Sequence, residues 1–375
     1  MRSEKTSIKA DTLSGDGQVL SQGDMEIKLK QDFHNTGNTA ANGKLSLETT
    51  GNIINDSTIK AEQAYLAAKN LTNTQAAEIS AGKTRVNIRD TLTNTGLIDG
   101  ELTHLTAKIL NNTGTGRIYG DRIAFQTGTL NNTAQDGKAA AIAARDRMDI
   151  ATGILNNSNH AQIYSVGDMN IGGQLDENLT ATSQAGRLSN HAATIEAGRN
   201  LGINAAIIRN TNDRLVTQVV ETEKSQRHEA VLSGHTTRYD WSEVDISYKN
   251  RHGVHTAVMP DGSDDNKFYE YQYTRTVTET QIKESDPGKI LAGGNITLNS
   301  TMLTNNDSQI VAGAILGGNI DELHNNSTKG ERITADEGNQ IRWYPKKKKT
   351  PTKKEQKIPG KKLERLSPGT DNRNH

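Results

Sequence analysis

The chain has no cysteine, 6 prolines and 14 aromatic residues in 375. The first absence removes any disulfide framework or thiolate metal site, and it leaves the redox compartment unread. So few rings, with an apolar content of 33%, are lean for a globular core and favour a fold that buries a few side chains per unit. No run of eighteen apolar residues occurs, so no transmembrane segment is expected. Met1 to Leu20 is polar and charged, without the apolar stretch of a signal peptide.

Catalytic and metal-binding patterns are incomplete as well. His228-Glu229 opens a zinc-protease pattern, but Leu232 stands where the second histidine is required. His252 and His255 lack the cysteine or carboxylate pattern that completes a metal site and read as surface histidines. Asp261 to Asn266 begins like a calcium loop, yet Asn266 replaces the glycine and Gln272 replaces the closing glutamate. Gly114-Thr115-Gly116 lacks the strand-to-helix frame and third glycine of a dinucleotide loop, and no nucleophile elbow occurs. The expectation is a protein that is not an enzyme, with no metal and no cofactor.

What is present is a beat: a large apolar residue followed two positions later by Asn. The asparagines are Asn35, Asn55, Asn73, Asn94, Asn112, Asn132, Asn157, Asn190, Asn210, Asn305 and Asn325. Their steps are 20, 18, 21, 18, 20, 25, 33, 20, 95 and 20 residues, a period near 20 with insertions, which marks a solenoid. Most beats carry a companion, Ile-x-small, as in Ile59-Lys60-Ala61, Ile79-Ser80-Ala81 and Ile195-Glu196-Ala197. A short alternating pair such as Val86/Ile88 or Leu201/Ile203 follows, usually after a glycine. Each unit thus holds three short period-2 strands separated by turn residues. Stacking unit on unit pairs every strand with its equivalents about 4.8 Å above and below. The fold class expected is all-β: a parallel β-helix of three sheets, with the asparagines hydrogen-bonded coil to coil as a ladder. Residues 172–186, with Asp176-Glu177 and the run Thr180, Thr182, Ser183, account for the 33-residue step as a loop ejected from one coil.

Residues 1–212 read as β-helix repeats and 286–344 as the repeats resumed. Between them, 213–285 leaves the beat and changes composition. Seven of the 14 aromatics lie there, Tyr239, Trp241, Tyr248, Phe268, Tyr269, Tyr271 and Tyr273, with four of the ten histidines. Its two ends alternate cleanly, Leu215 to Thr222 and Tyr269 to Val277, and are expected to pair antiparallel as the stem of a β-hairpin-like insertion. Aromatics dominate binding hot spots, so these seven are the candidate receptor-binding residues; the plainer reading is that they build the insertion's own small core. Residues 345–375 hold nine Lys, two Arg and three acidic residues, a net of +8 that leaves −8 on residues 1–344. Four of the six prolines also fall there, so the segment is expected to be a disordered tail. Lys346 to Lys349 could touch an anionic surface, but a solvated tail is the plainer reading and no nucleic-acid partner is expected.

The repeat resembles those of filamentous haemagglutinins and the related exoproteins of two-partner secretion and contact-dependent growth inhibition. The match lies in Leu-x-Asn-Thr and in segments such as Ile195-Glu196-Ala197-Gly198-Arg199-Asn200-Leu201 and Lys289-Ile290-Leu291-Ala292-Gly293-Gly294-Asn295-Ile296-Thr297-Leu298. Tyr273 to Thr280, leading into Asp286-Pro287-Gly288, follows the same style, and the resemblance spans roughly residues 10–340. It implies a right-handed β-helical stalk of an exported adhesin or interbacterial-competition protein, at the cell surface or extracellular. The implied partners are a host or bacterial cell-surface receptor or glycan and, for a full-length parent, an outer-membrane two-partner transporter. No secretion domain or toxin module of the family is recognisable, so the chain reads as an internal repeat fragment. Two alternatives remain open: a passive remnant of such an exoprotein, and a β-helical polysaccharide lyase or hydrolase using Asp99, Glu101 and Asp121.

Overall fold

The computed structural model describes residues 2–247 and 255–345. Tyr248, His252 and the lysine-rich segment from Lys346 onward lie outside the described residues. The chain divides into two units: Met1–Leu215 with Glu284–Thr328, and Val216–Lys283 with Lys329–His375. Each is built from strands; the one helical turn among the described residues is the 3-10 turn Trp241–Glu243. No helix there is long and apolar enough to cross a membrane.

The first unit is a parallel β-solenoid with coils of ~20 residues, twelve of them among the described residues when followed in register from Leu13 to Leu323. Three ladders run its length. In one, Ile59, Ile79, Ile98, Ile118, Ile142, Ile163, Ile195 and Ile290 lie in successive register. In the second, Leu66, Val86, Leu105, Phe125 and Ile150 do so. The third stacks Leu71, Leu92, Leu110, Leu130, Leu155, Leu188, Ile208 and Leu303. Alternation along each strand turns these side chains inward and their polar neighbours outward, so the ladders meet in one apolar core. Burying each such side chain contributes about 1.5–3 kcal/mol, which is how few rings suffice. In several coils one strand rounds both corners without a break, as in Leu97–Thr113. The corner after each Ile is narrow: a Cβ on Gly100 would lie 2.8 Å from the Ala81 carbonyl oxygen and 3.0 Å from that of Leu102, and the equivalent positions of other coils hold only Ala, Gly or Ser.

The irregular steps have separate physical origins. The 25-residue step comes from a turn at Asp136 and Gly137, both at positive φ, and a bulge that sets Gly120/Arg122 against Ala144/Arg147. The 33-residue step is a hairpin, Gln174–Leu175 against Ala181–Thr182. The 95-residue step leaves register untouched: Ile195 stacks on Ile290 and Ile208 on Leu303. Where the chain departs and returns, Asp213 N donates to the Asp286 carbonyl (3.1 Å) and Asp286 N to that of Arg214 (3.1 Å). In the last coil, Leu316 and Leu323 keep register under Ile296 and Leu303, yet both are more than half exposed.

The second unit holds a four-stranded sheet ordered Tyr239–Asp240, Leu215–Leu232, Phe268–Ser285, Arg332–Trp343. Contacts between the two long central strands run in opposite senses, Thr222 with Val277 and Gln226 with Thr274, so this pair is antiparallel. The two segments expected to form the stem, Leu215 to Thr222 and Tyr269 to Val277, meet only at Thr222 and Val277 and not along their length, because alternation marks strands but does not set their register. Contrary to what the repeats suggest, the β-helix does not run on to residue 344. The coils end near Thr328, and Arg332–Trp343 pairs antiparallel with Phe268–Ser285, from Phe268 opposite Trp343 to Glu279 opposite Arg332. After Asn325 both the Leu-x-Asn beat and its Ile-x-small companion stop. The segment therefore has no apolar set spaced for a coil interior, whereas an existing strand edge satisfies its backbone.

Candidate recognition surface

Two faces of the sheet in the second unit have different fates. One is covered by the unit's own core, in which Ala230, Leu232, Val244, Ala257, Met259 and Phe268 are buried with Tyr239, Trp241, Ile246 and Trp343 packed against them. Phe268 stacks on Trp343 with centroids 5.3 Å apart, and Trp241 stacks on His228 at 4.5 Å. A buried carboxylate organises this side. Glu270 Oε1 meets His228 Nε2 (2.9 Å) and accepts from Gln272 Nε2 (2.8 Å), and Oε2 accepts from Trp343 Nε1 (2.9 Å). With each oxygen engaged, the carboxylate is tolerated inside a small apolar core.

The opposite face carries Tyr269, Tyr271 and Tyr273 on alternate positions of one strand, so all three rings share it. Each is flanked by a guanidinium. Arg342 lies 5.8 Å from the Tyr269 ring, Arg238 3.8 Å from that of Tyr271, and Arg275 5.5 Å from that of Tyr273. Gln340 Nε2 donates to the Tyr271 hydroxyl (2.8 Å), and the Tyr273 hydroxyl donates to Glu229 (2.9 Å). Burial, and then that bond to the Glu229 carboxylate, holds the Tyr273 phenol above its ordinary pKa. Arg275 is locked bidentately on Asp336 (2.8 and 2.8 Å), which raises its pKa further above the usual guanidinium value.

The seven aromatic candidates thus separate. Phe268, at 1% exposure, belongs to the unit's core, and Tyr273, on the tyrosine–arginine face, is itself buried at 4%. Tyr239 and Trp241 are half-buried, the former donating from its hydroxyl to Asp261 (2.8 Å). Tyr269 and Tyr271 are also half-buried and flank one another on the tyrosine–arginine face, while Tyr248 lies outside the described residues. The sequence reading missed Arg238, Arg342, Trp343 and Tyr344, the last 58% exposed and 5.9 Å from the Arg342 guanidinium. The signal available was the second tryptophan of the chain, standing in a stretch without the repeat beat.

The eleven asparagines form a structural site of their own. Each Nδ2 donates to the Oδ1 of the next in the series at 2.7–2.9 Å, from Asn35 to Asn55 through to Asn305 to Asn325. The ladder crosses the insertion without interruption, as Asn210 donates to Asn305 (2.8 Å).

The carboxylates considered for glycan chemistry lie on the outside of the first unit. Asp99, Glu101, Asp121, Lys60 and Arg145 line an open groove of about 450 Å³. Arg145 joins both aspartates, 3.6 Å from Asp99 and 3.0 Å from Asp121, and these contacts raise its pKa. Among the described residues, no group of three or more His, Asp or Glu could hold a metal ion. His255 lies edge-on to Trp343 with centroids 6.3 Å apart, and Asp261 accepts from Ser263 in a polar turn (2.9 Å from N). A comparison with protein-family models, curated proteins and solved structures finds no match.

Proposed function

We propose that the chain is the stalk and recognition segment of a secreted, haemagglutinin-like adhesin or interbacterial-competition exoprotein, contacting a cell-surface receptor or glycan through the second unit. The observation that carries this reading is the register across residues 213–285. Ile195 meets Ile290 and Asn210 meets Asn305 as consecutive coils, so the solenoid neither needs nor notices what is inserted there. A segment that the scaffold does not need, and that concentrates aromatic and guanidinium groups on one sheet face, is placed to serve binding. Tyr269, Tyr271, Arg238 and Arg342 are the residues assigned to contact.

The test is binding of the purified chain to cells at two salt concentrations. It is compared with Tyr269→Ala/Tyr271→Ala and with a form lacking residues 213–285, all three monitored by circular dichroism. Binding lost in both variants while the β signal persists is the expected result. Equal binding by the deleted form removes residues 213–285 from recognition, and absence of binding by well-folded protein leaves the chain a passive stalk.

A further inference from the structure

The four-stranded sheet ends on an open edge. Arg332–Trp343 pairs with Phe268–Ser285 at twelve consecutive positions without a bulge, and no described strand pairs on its other side. Thr280 N donates to the Glu331 carbonyl (2.9 Å), which sets the alternation. Odd-numbered residues of the strand turn their amide groups toward the sheet, and residues 332, 334, 336, 338, 340 and 342 turn theirs outward. Natural sheets blunt such an edge with proline, charged side chains (lysine above all), a bulge or brevity. This one is 12 residues long, contains neither proline nor lysine, and leaves Ile333 and Ile341 53% and 45% exposed. Of the four charged residues on this strand, three are engaged within the sheet itself, Arg332 with Glu279, Asp336 with Arg275 and Arg342 with the Tyr269 ring.

We propose that this edge pairs with the same edge of a second copy of the chain, antiparallel about a two-fold axis at Gly338. The choice of occupant rests on self-complementarity. With the axis at Gly338, Glu337 lies opposite Asn339, Asp336 opposite Gln340 and Ala335 opposite Ile341. Thr334 then meets Arg342 and Ile333 meets Trp343, so exposed apolar groups oppose apolar groups and no like charges meet. Asp336 is diagonal to Arg342 of the second copy. An axis at Glu337 sets that carboxylate against itself and Arg332 against Arg342, and an axis at Asn339 sets Glu337 against Ile341. The outward amide groups gain partners in an isologous eight-stranded sheet.

The experiment is sedimentation velocity of the full chain over a concentration series, alongside Ile333→Lys/Ile341→Lys. A second measurement follows disulfide formation in Glu337→Cys/Asn339→Cys. In the proposed register residues 337 and 339 face each other as a non-hydrogen-bonded pair about 4.5 Å apart at Cα, within disulfide reach. The chain has no other cysteine, so any cross-link lies between these two positions, and peptide mapping separates the expected 337–339 link from the 337–337 link that an axis at Glu337 would give. A reversible wild-type dimer is expected, at least about tenfold weaker in the lysine variant since four apolar cross-strand pairs are lost, together with a disulfide-linked dimer on mild oxidation. A chain that sediments as a monomer at every concentration overturns the proposal. So does a dimer indifferent to the lysines, or a cysteine variant that stays uncross-linked under conditions where the wild type self-associates. Should the lysine variant fail to fold, the cross-link decides alone.

Discussion

The asparagine ladder shows why a polar side chain can hold an interior position that leucine would otherwise take. Asn112 is fully buried, accepts from Asn94 Nδ2 (2.9 Å), and donates to both Asn132 Oδ1 (2.9 Å) and the Ala141 carbonyl (3.2 Å). One amide thus links neighbouring coils and satisfies a turn carbonyl, which an apolar residue cannot do. The turn beneath is built around it: a Cβ on Gly116 would lie 2.4 Å from Asn112 Oδ1 and 2.5 Å from the Asn94 carbonyl oxygen. Asn112→Ala leaves Asn132 Oδ1 buried without its donor. The expected cost is about 2 kcal/mol, read as a lowered urea midpoint, because an unmade buried hydrogen bond costs roughly 1–3 kcal/mol. A midpoint unchanged from wild type would mean that backbone pairing alone holds the corner. Asn132→Ala should behave alike, since its position in the series is equivalent.

At the scale of elements, the hairpin Gln174–Leu175/Ala181–Thr182 shows how a loop is tied to a solenoid. Asp149, fully buried, accepts from Arg147 Nε (2.6 Å), Arg147 Nη2 (3.1 Å) and Ala181 N (3.0 Å). Arg122 donates to the carbonyls of Asn178 and Leu179, and Gln126 Oε1 accepts from Leu175 N (2.8 Å). Leu179 and Ser183 sit at positive φ (58° and 59°), a conformation such residues adopt only when fixed by their surroundings. Asp149→Ala removes the acceptor shared by Arg147, whose side chain is 33% exposed, and the Ala181 amide, with an expected loss of about 1–3 kcal/mol. Limited proteolysis should then cut first between residues 176 and 183, where the wild type resists; an unchanged cleavage order would show that Arg122 and Gln126 suffice. The ejected loop was legible in the sequence because the repeat period failed there, but its anchor was not. Arg122, Asp149 and Ala181 come together only once three coils are stacked. The same limit explains the second unit. Alternation foretold its two long strands, whereas the third, Arg332–Trp343, has its partner more than fifty residues away in sequence and no beat of its own. The tyrosine–arginine face depends on that third strand for Arg342 and Gln340, so composition could mark the region without marking the face.

The whole solenoid is close to a one-dimensional array, in which each coil is stabilised by its two neighbours and stability is roughly a sum over coils and interfaces. Position along the array should therefore matter more than side-chain identity. Leu130 and Leu323 occupy the same ladder position, but Leu130 is fully buried between Leu110 and Leu155 while Leu323 has Leu303 on one side only and is 60% exposed. Leu130→Ala leaves a cavity that both neighbours line, with an expected cost of about 2–5 kcal/mol. Leu323→Ala removes a side chain already largely in water, and should stay within about 0.5 kcal/mol. Hydrogen exchange distinguishes this gradient from a single cooperative block. In the array picture, amides of the two end coils, residues 2–21 and 309–326, exchange fastest in the wild type, and Leu130→Ala lowers protection most in the coils on either side of residue 130. If the mutation instead lowered protection equally from Met25 to Asn326, the solenoid would be melting as one unit. The asparagine ladder, continuous from Asn35 to Asn325, would then be the element that couples its coils.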